Sequence, residues 1–362
     1  MSVCFRVDAS PSIGVGHLMR CLALAQILDE QLIEVYFFIR QTTRESCLSR
    51  HDWVGRLCVI PHEITQEEEA HWVSKQVSKL DASLLVVDGY QFHHQYRAQL
   101  QALLGTHAIP LALFDDTNSD LSDSGLLHAD IVINSAPDAA RLDYNTTAPQ
   151  AKLCLGSEYR LLRQEFYVQD AVPWEQRHGL TLVMGGSDVN NLTIPLLEAL
   201  ETKAFSEPVR VLTGSAYPFA AELKQVLDRS NLAIQHLPRC QTVAEVFSYT
   251  KLVVSAAGST QFELLACGTP AILATVANNQ LPAALSAQQQ GWCRVVDCRG
   301  AAVSKQEAHT DRKRIIAHLM DQVMDIYQNS VKLRAMLAVA QQNQASQLQT
   351  RYALIEQLLA GE

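Results

Sequence analysis

The stretch FRVDASPSIGVGHLMRCLALA, Phe5 to Ala25, decides how the rest of the chain is read. It opens with the apolar residues of a buried strand, closes on apolar residues at helical spacing, and joins the two through Gly14-Val15-Gly16. Two glycines let the backbone turn tightly and come close to a ligand, and a helix beginning there places His17 near its positive end. A helix N-terminus disfavours protonated imidazole, so His17 is expected to tend toward the neutral form that accepts a proton. A histidine that merely caps or packs the helix start is the structural alternative. The glycine turn at a strand end favours the base.

Working outward, short β-rich runs recur with helical stretches between them: VCFRVD, EVYFFIR, LLVVDGY, PLALFDD and DIVINS, then LTLVMGGSD, VRVLTG, KLVVSAAG, PAILATV and RVVD. Such alternation implies parallel strands with helical crossovers, in two α/β units. The expected division is an N-terminal domain over 1–162, a polar linker over 163–179 that contains Pro173 and ends in Gly179, and a C-terminal domain over 180–362. From about Ala301 the pattern is helical, with no strand signal.

Composition narrows the function classes. At 362 residues, 48% hydrophobic and 19% charged, the chain suits two ordinary domains with substantial cores rather than disorder. A formal net charge of −9 offers no general attraction for nucleic acid or anionic membrane, although a local site for a small anion remains open. The nine cysteines show neither C-x-x-C pairs nor disulfide-scaffold density, which points to reduced thiols in the cytoplasm. Neither a signal-peptide pattern nor a membrane-length apolar run is present, so a soluble, intracellular protein is expected.

In an open parallel sheet, ligands bind at the carboxyl ends of strands. Besides the glycine turn before His17, that rule singles out VMGGSDVNNLT, where Gly185-Gly186 end a strand and Ser187 and Asp188, with Asn190 and Asn191, suit either a helix cap or a ligand loop. In SAAGSTQFELLACGTP, Gly258-Ser259-Thr260 lead into a helix whose free N–H groups and hydroxyls can hold a phosphate, with Glu263 one turn on, within reach of a ribose. VANNQLPAA offers Asn278, Asn279 and Gln280, whose amides suit sugar hydroxyls better than metals. Asp88 and Tyr90 in VVDGYQF follow another strand end, where turn chemistry is an equal alternative to a ligand role. The stretch DDTNSDLSDSG from Asp115 has alternating acidic positions but fails as a calcium loop, since Leu121 and Leu127 occupy the required Gly and Glu positions. His93-His94, Cys47 and Cys58 lack metal partners, so no metal and no cofactor is expected.

Taken in order, RVDASPSIGVGHLMRCLALA, LGSEYRLLRQEF, GGSDVNNLT, SAAGSTQFELLACGTPAI and ANNQ resemble the pseudaminic acid pathway sugar-nucleotide hydrolases, which release UDP from UDP-2,4-diacetamido-2,4,6-trideoxy-β-L-altropyranose. The resemblance implies two Rossmann-like α/β domains facing a central cleft, as in the GT-B glycosyltransferases, with the nucleotide on the second. It also implies that His17 is the catalytic base and that Tyr90 and Asn279 line the reacting centre. Gly14, Gly16 and Arg20 would then lie on the sugar side, while Gly185, Gly186, Ser187, Asp188, Gly258, Ser259, Thr260, Glu263 and Gln280 serve the nucleotide sugar. The implied reaction is inverting, independent of metal, and supplies a precursor for flagellin or surface glycans. A glycosyltransferase, a hydrolysing UDP-sugar 2-epimerase and a non-catalytic sugar-nucleotide sensor are the competing readings.

Overall fold

The computed structural model describes residues 1–10, 13–116, 118, 125–167, 170–214, 217–301, 309–348 and 350–359. Most of the acidic stretch after Asp116, residues 117 and 119–124, lies outside the described residues. The chain forms two compact units, Met1–Gln164 with Gln349–Glu362, and Glu165–Leu348.

The first unit runs β1 (Ser2–Val7), α1 (Gly16–Glu30), β2 (Glu34–Ile39), α2 (Gln41–Leu48), β3 (Arg56–Val59), α3 (Gln66–Lys79), β4 (Leu84–Asp88), α4 (His94–Gly105), β5 (Leu111–Phe114), β6 (Ile131–Asn134), α5 (Tyr144–Thr147) and β7 (Lys152–Leu155). Its seven strands lie in the order β3-β2-β1-β4-β5-β6-β7, and every pairing is parallel. Helices cover both faces, so β1 is buried throughout; Val3, Phe5 and Val7 pack on the α1 side and Cys4 on the α3 and α4 side. Arg6 sits in this strand only because Asp8 and Glu69 neutralise it, at 2.6 and 2.7 Å. Asp8 in turn accepts from the Arg40 backbone N–H at 2.7 Å, and Thr43 accepts from that of Ala9 at 2.9 Å, which anchors the start of the glycine loop.

The second unit runs β8 (Leu180–Val183), α6 (Thr193–Thr202), β9 (Val209–Thr213), α7 (Ala220–Arg229), β10 (Ile234–Pro238), α8 (Val243–Ser248), β11 (Leu252–Ala256), α9 (Thr260–Ala266), β12 (Ala271–Thr275), α10 (Leu281–Gln290), β13 (Cys293–Asp297), α11 (His309–Gln328) and α12 (Ser330–Leu348). Its six parallel strands follow the order β10-β9-β8-β11-β12-β13. Strand direction of travel across the sheet reverses between β1 and β4 in the first unit and between β8 and β11 in the second. Those are the switch points at which α/β sheets open a crevice for ligand.

Two boundaries differ from the sequence expectation. The last helix, α13 (Ala353–Leu359), was assigned to the second domain but packs on the first, where Leu354 and Ile355 join the core of Val3 and Phe5. Arg351 pairs with Glu30 beside it. The stretch assigned as a linker is not loose either. Glu165 accepts from the Ala244 N–H at 3.0 Å and so caps the start of α8. Arg177, only 1% exposed, donates to the carbonyls of Val172, Thr250 and Cys267 and to the Thr269 hydroxyl, at 3.0 to 3.3 Å. Burial, with no carboxylate among these partners, pulls its guanidinium down to about 10. Replacing it by methionine strands four buried acceptors, so Arg177→Met should lower unfolding stability by ~2–4 kcal/mol. An unchanged urea midpoint would show that the segment holds without it.

Candidate active site

In the first unit the site grows from the switch point. Val7 ends β1 opposite Asp88, the last residue of β4, and the glycine loop returns the chain to start α1. Gly14 has φ +81°, and its N–H bonds the Ser10 carbonyl at 2.7 Å, closing the loop on itself. Gly16 needs no such conformation, and a Cβ there would meet nothing within 4 Å. The same holds for Gly258 in the second unit. Neither backbone strain nor packing calls for glycine at these two positions, whereas a ligand lying against the backbone would.

His17 projects from the first turn of α1 and bonds Asp88 through Nδ1 at 2.7 Å, with side chains 12% and 0% exposed. A carboxylate accepts only, so Nδ1 carries the hydrogen and Nε2 is left as the basic nitrogen. One turn on, Arg20 grips the same carboxylate by two bonds of 2.8 Å, Nε to Oδ2 and Nη2 to Oδ1, and stacks over the Phe114 ring at 4.7 Å. Its Nη1 reaches Asp116, beyond the end of β5, at 2.6 Å. Burial opposes the charge on Arg20, but Asp88 and Asp116 outweigh it and hold the guanidinium ionised. Burial likewise opposes the charge on Asp116, yet Arg20, with the Tyr90 hydroxyl, keeps its carboxyl below the usual range. Tyr90 donates to Asp116 at 2.9 Å and stands edge-on to the imidazole, with ring centroids 4.8 Å apart. Arg20 therefore spends its donors on two carboxylates and, as arranged here, supports the histidine.

In the second unit the loops after β8 and β11 flank its switch point. Gly185 takes φ +76°, and the Gly186 backbone lies so close to Gly214 that a Cβ at 214 would fall 2.5 Å from its carbonyl oxygen. Ser187 leads to Asp188, which is 4% exposed and accepts from the N–H groups of Leu192 and Thr193 at 2.9 Å each. Asp188 thus fastens the approach to α6, and burial raises its carboxyl despite those bonds. After β11, Gly258 and Ser259 enter α9; the Ser259 hydroxyl makes no capping bond, and Glu263 lies half-buried in the first turn. Beyond β12, the Gln280 side chain accepts from the Val276 N–H at 2.8 Å and Asn278 accepts from Arg299 at 2.9 Å, leaving Asn279 exposed between them. Among the described residues, no group of three or more His, Cys, Asp or Glu is arranged to hold a metal ion.

Solved structures of similar shape include several glycosyltransferases. MurG of Acinetobacter baumannii aligns over 99% of this chain and all of its own, with TM-score 0.60 and 16% identity. The TcCGT1 structure in complex with UDP aligns over the full length of both chains, with TM-score 0.64 and 15% identity. This is the GT-B fold. No protein-family model matches the chain. Among curated proteins, the chain is similar to the UDP-2,4-diacetamido-2,4,6-trideoxy-β-L-altropyranose hydrolase of Campylobacter jejuni, 26% identical over 73% of this chain and 88% of that one. It is also 23% identical to the uncharacterised protein MJ1062 of Methanocaldococcus jannaschii over 75% of its own length, and this match spans only 55% of the archaeal protein. Within the GT-B architecture, His17, Arg20 and Tyr90 belong to the first unit, and the GGSD, GST and ANNQ loops to the second.

Proposed function

We propose that this protein hydrolyses UDP-2,4-diacetamido-2,4,6-trideoxy-β-L-altropyranose, releasing UDP by attack of water at the sugar C1 with inversion. The observation that carries this reading is the His17–Asp88 bond of 2.7 Å, which leaves Nε2 as a proton acceptor at the switch point of the first sheet. The similarity to the C. jejuni hydrolase supplies the substrate class. In the proposed step Nε2 takes a proton from water as the water oxygen bonds C1, and the C1–O bond to the diphosphate breaks. Asp88 holds the imidazolium that forms. UDP leaves as a stable anion, so the carboxylic acid that a glycosidase uses to protonate a departing alcohol is not required. Gly258, Ser259 and Thr260 are assigned to the diphosphate, Glu263 to the ribose, and Tyr90 and Asn279 to the walls of the reacting centre. The protein would act in the cytoplasm, without a metal, in pseudaminic acid biosynthesis. Among the described residues, no helix is long and apolar enough to cross a membrane.

Following the purified protein with this UDP-sugar by proton and phosphorus NMR, in excess EDTA, tests the reading. UDP should appear with free sugar whose first-formed anomer is α. An unconsumed substrate, or a turnover restored only by magnesium or manganese, would remove it. The GT-B neighbours favour one second reading, a glycosyltransferase using the same base on an acceptor hydroxyl. In that case UDP release would require an acceptor and the sugar would be recovered on it.

Glu263 gives a separate check on the nucleotide side. A carboxylate accepting from ribose hydroxyls contributes a charge-assisted bond, so Glu263→Ala should weaken UDP binding by roughly 1.5–3 kcal/mol in calorimetry. Unchanged affinity in a folded variant would put the ribose elsewhere.

A further inference from the structure

His17 does not face Asp88 alone. Around the pair stand Arg20 and Cys21 from α1, Tyr90 from the turn after β4, and Asp116 from the end of β5. Burial pushes the Cys21 thiol well up, so it adds no charge, and the Tyr90 hydroxyl acts as a donor to Asp116. Two carboxylates therefore share one guanidinium. With the imidazole neutral the group carries one surplus negative charge, and with the imidazole protonated it is balanced. Arg20 also lies 3.4 Å from Nδ1 of His17, close enough for its charge to act directly on the ring.

We propose that Asp116 and Arg20 are positioning residues that set the charge against which His17 takes up its proton. Asp116 holds the guanidinium between the two carboxylates and pins Tyr90 against the imidazole edge. Arg20 donates to both oxygens of Asp88 and so tempers the negative field that Asp88 exerts on the ring. The assignment rests on His17 being the base, and it makes opposite demands on two variants. Losing the cation leaves two bare carboxylates and favours the protonated ring. Losing the Asp116 charge leaves a cation with one carboxylate and favours the neutral ring.

The test is the ring titration of His17, followed by NMR in the full-length protein without substrate, together with the pH dependence of kcat/KM on the UDP-sugar. The His17 resonance among the twelve histidines is the one lost in His17→Asn. Arg20→Gln should move the titration midpoint up by ~1–2 pH units, and Asp116→Asn should move it down by about 1. Arg20→Lys keeps the charge and should bring the midpoint back close to that of the natural protein. The acid limb of kcat/KM should follow each shift. If Arg20→Gln does not fold, the sign for Asp116→Asn decides, since its side chain is 30% exposed and its loss is borne at the rim. Shifts in one common direction, or lower kcat with an unmoved midpoint, would overturn the assignment. Opposite shifts in a protein that releases no UDP would keep it while removing the hydrolase reading.

Discussion

His17→Asn should lower kcat by at least ~10² while UDP affinity and melting temperature stay near those of the natural protein, the lower range for losing a general base. Chemistry and nucleotide binding are assigned to different units, which is why the two should separate. In the variant Arg20 still donates two bonds to Asp88 and the asparagine amide can supply an N–H in place of Nδ1, so little folding energy is lost. A capping role predicts the reverse, a lower melting temperature with kcat nearly intact. Both quantities can be read on one preparation, and a near-normal kcat would take His17 out of the mechanism.

Asp88→Asn should be as costly to turnover and also costly to stability. The carboxylate accepts three bonds of 2.7 to 2.8 Å, from His17 and twice from Arg20. An amide replaces one acceptor oxygen by a donor, so it faces an N–H of Arg20 or of His17 whichever way it turns. It also removes the negative charge that would hold the imidazolium. A fall in kcat of ~10²–10⁴ is expected. Breaking a fully buried charge pair typically destabilises by ~3–5 kcal/mol; here Asp116 remains on the guanidinium, so the lower end, ~3 kcal/mol, should appear in denaturant unfolding. The double variant with His17→Asn should lose little further activity, because the two residues act as one unit. A folded Asp88→Asn protein with kcat within tenfold of normal would show that Asp88 serves packing alone.

Much of this fold was legible because central strands buried on both faces read as continuous apolar runs, as LLVVD and LVVSA do. The strands absent from the sequence reading are RLCV, KLCL and IQHLP. All three lie at sheet edges, where one side is half-exposed and polar residues break the pattern. At the site, the glycine loops and His17 stood out because strand ends and glycine turns are local signals. Asp116 was visible only as part of an acidic run, since its partners Arg20 and Tyr90 lie 96 and 26 positions away. Asp188, which the sequence left open between a helix cap and a ligand residue, accepts from the backbone N–H groups of Leu192 and Thr193. Arg177 looked like one more polar linker residue, because its four acceptors come from three separate segments.

The return of α13 to the first sheet has a consequence for synthesis on the ribosome. Leu354 and Ile355, 1% and 5% exposed, complete a core begun by Val3 and Phe5, so that core waits until the whole of 165–348 has been translated. The second unit is continuous and emerges with all of its strands, free to fold while the first is still open on its α1 face. A nascent chain halted before residue 353 should therefore carry a protease-resistant second unit beside a first unit that chaperones still recognise.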